Sequence, residues 1–150
     1  MSRRVPLVLA IVAALALLAY LRDPPWLVNQ ASGLRQWEHP AGQPRYRWST
    51  GHASFFVEAG AGAFDVPVST TFDAPDSQPM LVSVDVDGQL AVRAVLTDPS
   101  WTRIHVVLPP PGGRRVRRID LRTNVTRDTS YGVRVGALEF PPRLAAGFPR

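Results

Sequence analysis

The pattern of hydrophobic and polar positions divides the chain into two unlike parts. Residues 5–21 form one uncharged apolar run, interrupted only by Pro6 near its start. From about residue 45 onward, short runs of β-branched and aromatic residues alternate with polar ones and are separated by Pro, Gly, Asp and Ser, which is typical of antiparallel strands. The pattern therefore predicts one N-terminal helix followed by an all-β domain.

Eight strands are predicted in the second part. The clearest element is a hairpin, because Asp87-Gly88 joins two alternating apolar runs and Asp-Gly favours a two-residue hairpin turn. About 100 residues in eight short strands predict a two-sheet antiparallel β-sandwich or jelly roll. The predicted strands are residues 46–49, 53–58, 66–72, 80–86, 89–96, 101–108, 116–123 and 131–140.

The apolar run predicts a transmembrane helix. Its seventeen residues span roughly 25 Å as a helix, near the short end of what crosses a hydrocarbon core. Arg3 and Arg4 precede the run, whereas Arg22 after it is offset by Asp23, so the positive-inside rule predicts a cytoplasmic N-terminus and an extracytoplasmic remainder.

Three interpretations of this run remain open. We favour a retained signal anchor over a cleaved signal peptide, because the one clean small-x-small site, residues 14–16, lies inside the run. The run is also compatible with the last helix of a larger polytopic protein. With Pro24 and Pro25 ending the helix, we predict a cytoplasmic n-region at 1–4, a single-pass anchor at 5–21, a linker and irregular lead-in at 22–44, a β-sandwich at 45–140 and a tail at 141–150.

Composition excludes several kinds of chemistry. The sequence has no Cys and no Lys, which removes disulfides, thiolate metal sites, cysteine nucleophiles and lysine Schiff bases. The three His fall in unrelated segments, the acidic residues are scattered, and no Gly-x-Ser-x-Gly turn occurs. We therefore expect no catalytic residues, no bound metal and no cofactor.

The net charge of +5 is concentrated in one part of the chain. Residues 114–150 hold nine Arg and three acidic residues, whereas residues 26–113 hold five Arg and eight acidic residues. The most basic stretch, 114–122, contains no aromatic residue and follows the translocated run, which argues against a nucleic-acid partner. Two interpretations stay open, a solvated strand face or contact with anionic lipid head groups and acidic glycans. The candidate contacts are Arg114, Arg115, Arg117 and Arg118.

A series of short motifs resembles a known extracytoplasmic module. The motifs are Arg45-Tyr46-Arg47-Trp48-Ser49, the hairpin at 84–88, the strand at 101–109 and the closing segment 131–140. Their order resembles the β-sandwich that follows the last transmembrane helix of bacterial membrane glycosyltransferases, which is similar to galactose-binding-like jelly rolls. The resemblance covers roughly residues 33–140. It implies a β-sandwich fold in a carbohydrate-related context of the cell envelope, with no catalytic residues to carry over.

Aromatic residues are the candidate ligand contacts. Sugar rings stack on aromatic side chains, but aromatic residues are first of all core material. Tyr46 and Trp48 are predicted to point inward. Trp101 shares a strand face with Arg103 and His105, so we predict Trp101, Arg103 and His105 as ligand-binding residues.

These observations predict a non-catalytic, single-pass protein of the bacterial cell membrane. Its sandwich would lie outside the cytoplasm and serve in binding or scaffolding, with envelope glycans as the expected partner. The alternative is an accessory C-terminal module of a polytopic membrane glycosyltransferase whose catalytic part is on another chain. A purely structural interaction domain is a third hypothesis.

Overall fold

The computed structural model describes residues 4–70, 79–124, 126 and 131–141. Its first element is the helix α1, Arg4–Arg22, which confirms the helix predicted over residues 5–21. The side chains from residue 5 to residue 22 are exposed. In the described part of the chain, the stretch Val5–Asn29 alone is long and apolar enough to cross a membrane.

The described residues after α1 form eight strands that pair antiparallel. The fold class is thus the predicted one, an antiparallel β-sandwich preceded by one apolar helix. The strands are β1 Ala31–Leu34, β2 Tyr46–Glu58, β3 Ala63–Ser69, β4 Met80–Val86, β5 Gln89–Leu96, β6 Thr102–Val107, β7 Val116–Thr123 and β8 Arg134–Gly136.

The strands form two sheets that share the long strand β2. The first sheet has the order β1-β2-β7-β4-β5, and the second has the order β2-β8-β3-β6. Residues 52–58 of β2 pair with β7, and residues 46–48 pair with β8. Gly51 lies between these segments with φ at +88°, a conformation that glycine adopts at little cost. It lets β2 continue from one sheet into the other.

The inner faces of the two sheets bury one hydrophobic core. Burial alternates along β4, where every second residue from Met80 to Val86 is at most 5% exposed, as the hairpin pattern predicts. Each such side chain contributes about 1.5–3 kcal/mol relative to full exposure. The core residues are Phe55, Val57, Phe64, Val66, Val68, Met80, Val82, Val84, Val86, Leu96, Ile104, Val106, Leu108, Ile119, Leu121, Val133 and Val135.

The β4–β5 hairpin turns at Asp87 and Gly88, as predicted. Both residues have positive φ, 51° and 82°, the combination that a type I′ turn requires. The Asp87 carboxylate accepts hydrogen bonds from Arg117 Nη1 at 2.6 Å and from the Arg118 amide at 3.1 Å. Asp87 therefore ties the hairpin to β7.

Several strand boundaries differ from the prediction, and β3, for example, begins at Ala63 instead of residue 66. Residues 46–49 and 53–58 were expected as separate strands, but the positive φ of Gly51 lets them form one. Residues 31–34, expected in the irregular lead-in, form β1, whose backbone pairs with β2 although its sequence has no apolar alternation. The last strand is limited to Arg134–Gly136. Residues 71–72 of the predicted third strand, the n-region residues 1–3 and the tail residues 142–150 lie outside the described residues.

The helix joins the sandwich at one end, which we call the base. Asp23, directly after α1, is 3% exposed, and its carboxylate lies 3.0 Å from Arg114 Nε. A 3₁₀ helix, Pro25–Asn29, then packs against β2 and β7. The base also contains the 3₁₀ helix Ala59–Ala61 and the Pro-Gly turn at 109–113. These segments are joined by two backbone hydrogen bonds, from the Ala59 amide to the Arg115 carbonyl and from the Leu108 amide to the Gly62 carbonyl.

Strand β6 runs from the far end of the sandwich to the base. Leu108, just after the strand, is the residue that bonds to Gly62 at the base. The strand has six residues, and each adds about 3.3 Å. Trp101, which precedes β6, is therefore roughly 20 Å from the base along the strand.

Candidate functional site

The candidate site is the outer face of the second sheet. Val66, Ile104 and Val135 point into the core, so the residues that alternate with them point outward. The cross-strand pairs show which residues meet there, since Tyr46 pairs with Gly136, Trp48 with Arg134, Asp65 with His105, and Pro67 with Arg103.

Four aromatic rings form a row across this face. The ring of Tyr131 lies 5.2 Å from Trp48, Trp48 lies 5.9 Å from Tyr46, and Tyr46 lies 6.3 Å from Trp101. The first two contacts are edge to face, the geometry that aromatic quadrupoles favour. Trp101, Trp48 and Tyr131 are half-buried, whereas Tyr46 is 6% exposed. The row therefore leaves parts of three rings open to solvent. We call it the aromatic row.

Tyr46 is buried, as predicted, but it and Trp48 lie on the outer face of the second sheet. Both point away from the core, because their β8 partners flank Val135, which is a core residue. Tyr46 is buried nevertheless, since Trp48, Trp101 and Arg134 surround its ring. Burial raises the pKa of the Tyr46 hydroxyl, and a hydrogen bond with Glu38 raises it further. The phenol is therefore neutral at physiological pH.

A glycine creates the space beside Trp101. A Cβ on Gly136 would lie 3.1 Å from the Pro67 Cβ and 3.5 Å from Trp101 Cζ3. Without that atom, Trp101 and Pro67 border a shallow depression of about 340 Å³. Arg45, Arg103 and Glu139 line its rim. The depression thus has apolar walls and a charged rim.

Arg134 fixes the centre of the aromatic row. Its guanidinium lies 5.4 Å from the Tyr46 ring and 5.5 Å from the Trp101 ring. Its Nη2 donates to Ser69 Oγ at 2.6 Å and to the Thr70 carbonyl at 3.0 Å. Charged donors of this kind are among the stronger hydrogen bonds in proteins. Arg134 therefore holds β8, β3 and the two rings together.

Arg103 and His105 lie on the same outer face as Trp101, in the positions that the strand alternation predicts. Arg103 Nε donates to Glu139 Oε2 at 2.8 Å, and this hydrogen bond raises the pKa of the guanidinium. His105 Nδ1 lies 2.7 Å from Asp65 Oδ1. Both side chains already have carboxylate partners, so Trp101 is the member of the predicted trio with an uncommitted apolar surface.

A second aromatic group is centred on Trp37. The guanidinium groups of Arg45 and Arg47 are 4.6 and 4.5 Å from the Trp37 ring, within cation–π range. Burial lowers the pKa of Arg47, and the charge of Arg45 lowers it further. Arg35 donates to the Tyr131 hydroxyl at 3.1 Å and lies 4.2 Å from its ring.

Sequence patterns did not place Trp48, Tyr131 and Arg134 side by side on one face of a sheet. The sequence did contain one signal of the row, since alternation along the strand assigned Tyr46 and Trp48 to the same face. Whether that face was inner or outer depended on β8, a strand of three residues that is too short to show an alternation. The aromatic row thus depends on the order of the strands in the second sheet.

The four arginines predicted as an anionic contact do not share one environment. Arg114 pairs with Asp23 at the base. Arg117 donates to Asp87 and to the carbonyls of Pro110 and Pro111, and its side chain is 11% exposed. These bonds make Arg117 a structural residue of the turn.

Arg118 belongs to a cluster on the outer face of the first sheet. Asp120 is 4% exposed and accepts hydrogen bonds at Oδ1 from Ser54 Oγ, from His52 Nε2 at 3.0 Å and from Arg118 Nη2 at 2.9 Å. Burial alone would raise the pKa of Asp120, but the hydrogen bonds from Ser54, His52 and Arg118 outweigh it and hold the pKa below its ordinary value.

This cluster does not have the order of a nucleophile relay. In a Ser-His-Asp triad the imidazole lies between the hydroxyl and the carboxylate. Here Ser54 and His52 both bond to the same oxygen of Asp120, so the carboxylate is central. Within residues 4–70, 79–124, 126 and 131–141, no three His, Cys, Asp or Glu gather in a group able to hold a metal ion.

Comparisons with known proteins give likenesses of fold only. No protein-family model matches the chain, and no curated protein matches it in sequence. One similar solved structure is the EclA C-terminal domain, a sugar-binding protein, at 13% identity and a TM-score of 0.45. The match covers 59% of this chain and 64% of that domain, so this chain spans less than two thirds of its length.

Two further likenesses are to isolated carbohydrate-binding modules. A family 35 module from Clostridium thermocellum matches at 10% identity and a TM-score of 0.48, covering 73% of this chain and 88% of the module. The module CBM36, solved with calcium and xylotriose, matches at 11% identity and a TM-score of 0.45, covering 75% and 92%. These values are too low to transfer a ligand or a site residue. The chain is an antiparallel β-sandwich with an apolar N-terminal helix.

Proposed function

We propose that this protein is a non-catalytic glycan-binding module of the bacterial cell envelope. In this proposal α1 anchors the chain in the cell membrane with its N-terminus in the cytoplasm. The sandwich lies outside the cytoplasm and binds envelope glycans on the outer face of its second sheet.

The observation that carries the proposal is the aromatic row. A row of rings on a rigid sheet suits a flat saccharide, because pyranose C–H faces and aromatic faces are both apolar. Aromatic side chains also bind with a low entropy cost when neighbours already hold them in place, as Tyr46 and Arg134 hold Trp101. An exposed ring without such support would lose more freedom on binding.

The depression beside Trp101 supplies polar partners as well. Sugar hydroxyls need hydrogen-bond donors and acceptors around the stacked ring. The rim offers guanidinium groups from Arg45 and Arg103 and a carboxylate from Glu139. The combination of an apolar wall and a few polar groups is typical of small-molecule sites.

The environment of Asp120 supports a non-catalytic role. The Ser54 hydroxyl donates to the Asp120 carboxylate and not to His52, and hydrogen bonds hold the pKa of that carboxyl low, which makes it a poor general base. The arginines at the aromatic face are consistent with a binding role as well. Arg103 pairs with Glu139, and Arg134 lies over the Trp101 ring, so neighbouring side chains hold both guanidinium groups in place.

The membrane part of the proposal is supported by the length and composition of α1 and by its exposed apolar side chains. Fusions of alkaline phosphatase to the C-terminus test the orientation. We expect activity outside the cytoplasm for the intact chain, and an inactive fusion would overturn the assigned orientation.

Glycan binding is tested by retention of the full chain, in detergent micelles, on peptidoglycan and on acidic polysaccharide. We expect the wild type to be retained and Trp101→Ala to be retained roughly five- to thirtyfold less, since loss of one stacked ring costs about 1–2 kcal/mol. Trp26→Ala is the matched control, because Trp26 is exposed at the base. Equal retention of Trp101→Ala and wild type, or no retention on either material, would overturn the proposal.

The pairing with a membrane glycosyltransferase remains a prediction from the sequence resemblance. Copurification from membranes tests it, with a polytopic glycosyltransferase recovered alongside the tagged full chain as the expected result. Recovery of the chain alone would contradict it.

A further inference from the structure

A second candidate site lies at the base, far from the aromatic row. It is a groove of about 450 Å³ between the 3₁₀ helix Pro25–Asn29 and the end of the second sheet. We call it the base groove. Its apolar lining consists of Val28, Phe56, Val57, Ala61, Leu138, Phe140 and Pro141.

The base groove exposes apolar surface that the sandwich does not cover. Phe140 is 49% exposed, although its ring lies 5.9 Å from the core residue Phe64. Val28 is 37% exposed on the other wall. A smaller hollow of about 210 Å³ shares Val28, Phe56 and Leu138, so the apolar surface continues beyond the first groove.

An exposed arginine, Arg115, is bonded through its backbone to the segment that borders the groove. The Arg115 carbonyl accepts a hydrogen bond from the Ala59 amide at 2.8 Å, and the neighbours of Ala59, namely Glu58 and Ala61, line the groove. Arg115 is exposed, and among the described residues it makes no ion pair, in contrast to Arg114, Arg117 and Arg118. The rim includes the carboxylate of Glu58, which has other interactions.

The groove lies next to the end of the apolar helix. Val28 is six positions after the last residue of α1, and the pair of Asp23 with Arg114 fixes the helix end against the base. If α1 spans a bilayer, the groove lies at the level of the phospholipid head groups. An apolar groove at that level, with the exposed Arg115 bonded to its bordering segment, matches a lipid that carries a phosphate.

We propose that the base groove binds one bilayer phospholipid, with an acyl chain along Val28 and Phe140 and the phosphate at Arg115. This inference rests on the membrane anchor of the proposed function and is independent of glycan binding. The bound lipid would cover the exposed Phe140 and hold the base of the sandwich against the membrane surface.

Native mass spectrometry of the full chain, released from nanodiscs of phosphatidylglycerol or of phosphatidylcholine, tests the site. We expect wild type to retain one phospholipid more firmly than the lipids that surround α1. Arg115→Gln should lower retention of phosphatidylglycerol about fivefold, the effect of one arginine near an anionic lipid. Val28→Asp should abolish it, because a carboxylate would enter the acyl-chain position.

Two control variants match these changes in charge. Arg93→Gln and Val95→Asp alter exposed positions on β5, and we expect both to retain lipid as wild type does. Carbonate-washed membranes show separately whether each variant remains anchored. Loss of wild type from those membranes would overturn the anchor and this inference together. Normal anchoring with equal lipid retention in wild type, Arg115→Gln and Val28→Asp would overturn only the lipid site.

Discussion

The ring of Trp101 lies 6.3 Å from the ring of Tyr46, and the guanidinium of Arg134 lies within 5.5 Å of both ring centroids. The three residues come from three separate parts of the chain. Gly136 lies beside these residues, and a Cβ there would crowd Pro67 at 3.1 Å and touch Trp101 at 3.5 Å. The aromatic row therefore forms only when the second sheet is complete. A substitution that disrupts the row is expected to lower the stability of the sandwich as well.

Replacement of Arg134 by Ala should destabilise the sandwich by about 2 kcal/mol. The loss has a defined cause, because the hydrogen bonds to Ser69 Oγ and the Thr70 carbonyl disappear and bonds of charged donors contribute about 1.5–3 kcal/mol. Urea unfolding monitored by tryptophan fluorescence measures the change.

The matched control for Arg134 is Arg93→Ala. Arg93 is exposed on β5, and substitutions at such positions change stability by about 0.5 kcal/mol or less. If the two variants unfold at the same urea concentration, Arg134 does not hold the row together.

The stability of the protein should fall in acid through Asp120. Hydrogen bonds depress the pKa of this carboxyl in the folded state, so its contribution is fully present above the unfolded value near 3.9. The contribution is lost as the pH falls through the lower folded pKa. Urea unfolding between about pH 2 and pH 6 should show that the difference between wild type and Asp120→Asn narrows below about pH 4.

A second variant separates this effect from general acid denaturation. Ser54→Ala removes one donor to Asp120, so the folded pKa of the carboxyl should rise toward the unfolded value. The loss of stability in acid should then be smaller and should be complete at a higher pH. A difference between wild type and Asp120→Asn that stays constant over the whole pH range would contradict the account.

The elements that the sequence pattern predicted well are those whose side chains alternate. The hairpin of β4 and β5 is an example, because Asp87-Gly88 specifies the turn and the alternating valines specify the inner face. Strand β1 could not be predicted in this way. Its residues Ala31–Leu34 are held by backbone pairing with β2, and hydrophobic periodicity carries no information about backbone pairing.

The candidate site was predicted only in part, because alternation shows which residues share a strand face but not which strands are neighbours. Alternation along β6 gave the shared face of Trp101, Arg103 and His105. It could not give the partners of Trp101, since Tyr46 and Arg134 reach it only through the order β2-β8-β3-β6. The basic segment was likewise predicted as one surface, but Arg114, Arg117 and Arg118 pair with three different carboxylates, those of Asp23, Asp87 and Asp120.

Replacement of Gly33 by Ala should test whether β1 is an integral part of the fold. Gly33 has φ at +67°, and a Cβ there would collide with the His52 carbonyl and lie 2.9 Å from the Ala53 Cα. We expect a loss of about 2 kcal/mol or more, because a strained backbone and a clash with backbone atoms combine. Thermal unfolding of the full chain in detergent micelles measures it.

Gly42→Ala provides the comparison. Gly42 has a similar φ, +73°, but a Cβ there would meet no atom within 4 Å. The free energy of unfolding of this variant should fall by only about 1 kcal/mol, the cost of the positive φ for alanine. Equal losses for the two variants would mean that β1 does not pack closely against β2.

The most direct test of glycan binding at the aromatic row is a titration followed by the indole N–H resonances of the four tryptophans. The full chain in micelles, labelled with ¹⁵N, is titrated with soluble peptidoglycan fragments and with oligosaccharides of an acidic polysaccharide. The account predicts that the signals of Trp101 and Trp48 shift with saturation, while that of Trp26 at the base stays in place. Unchanged signals for Trp101 and Trp48, or shifts limited to Trp26, would contradict it.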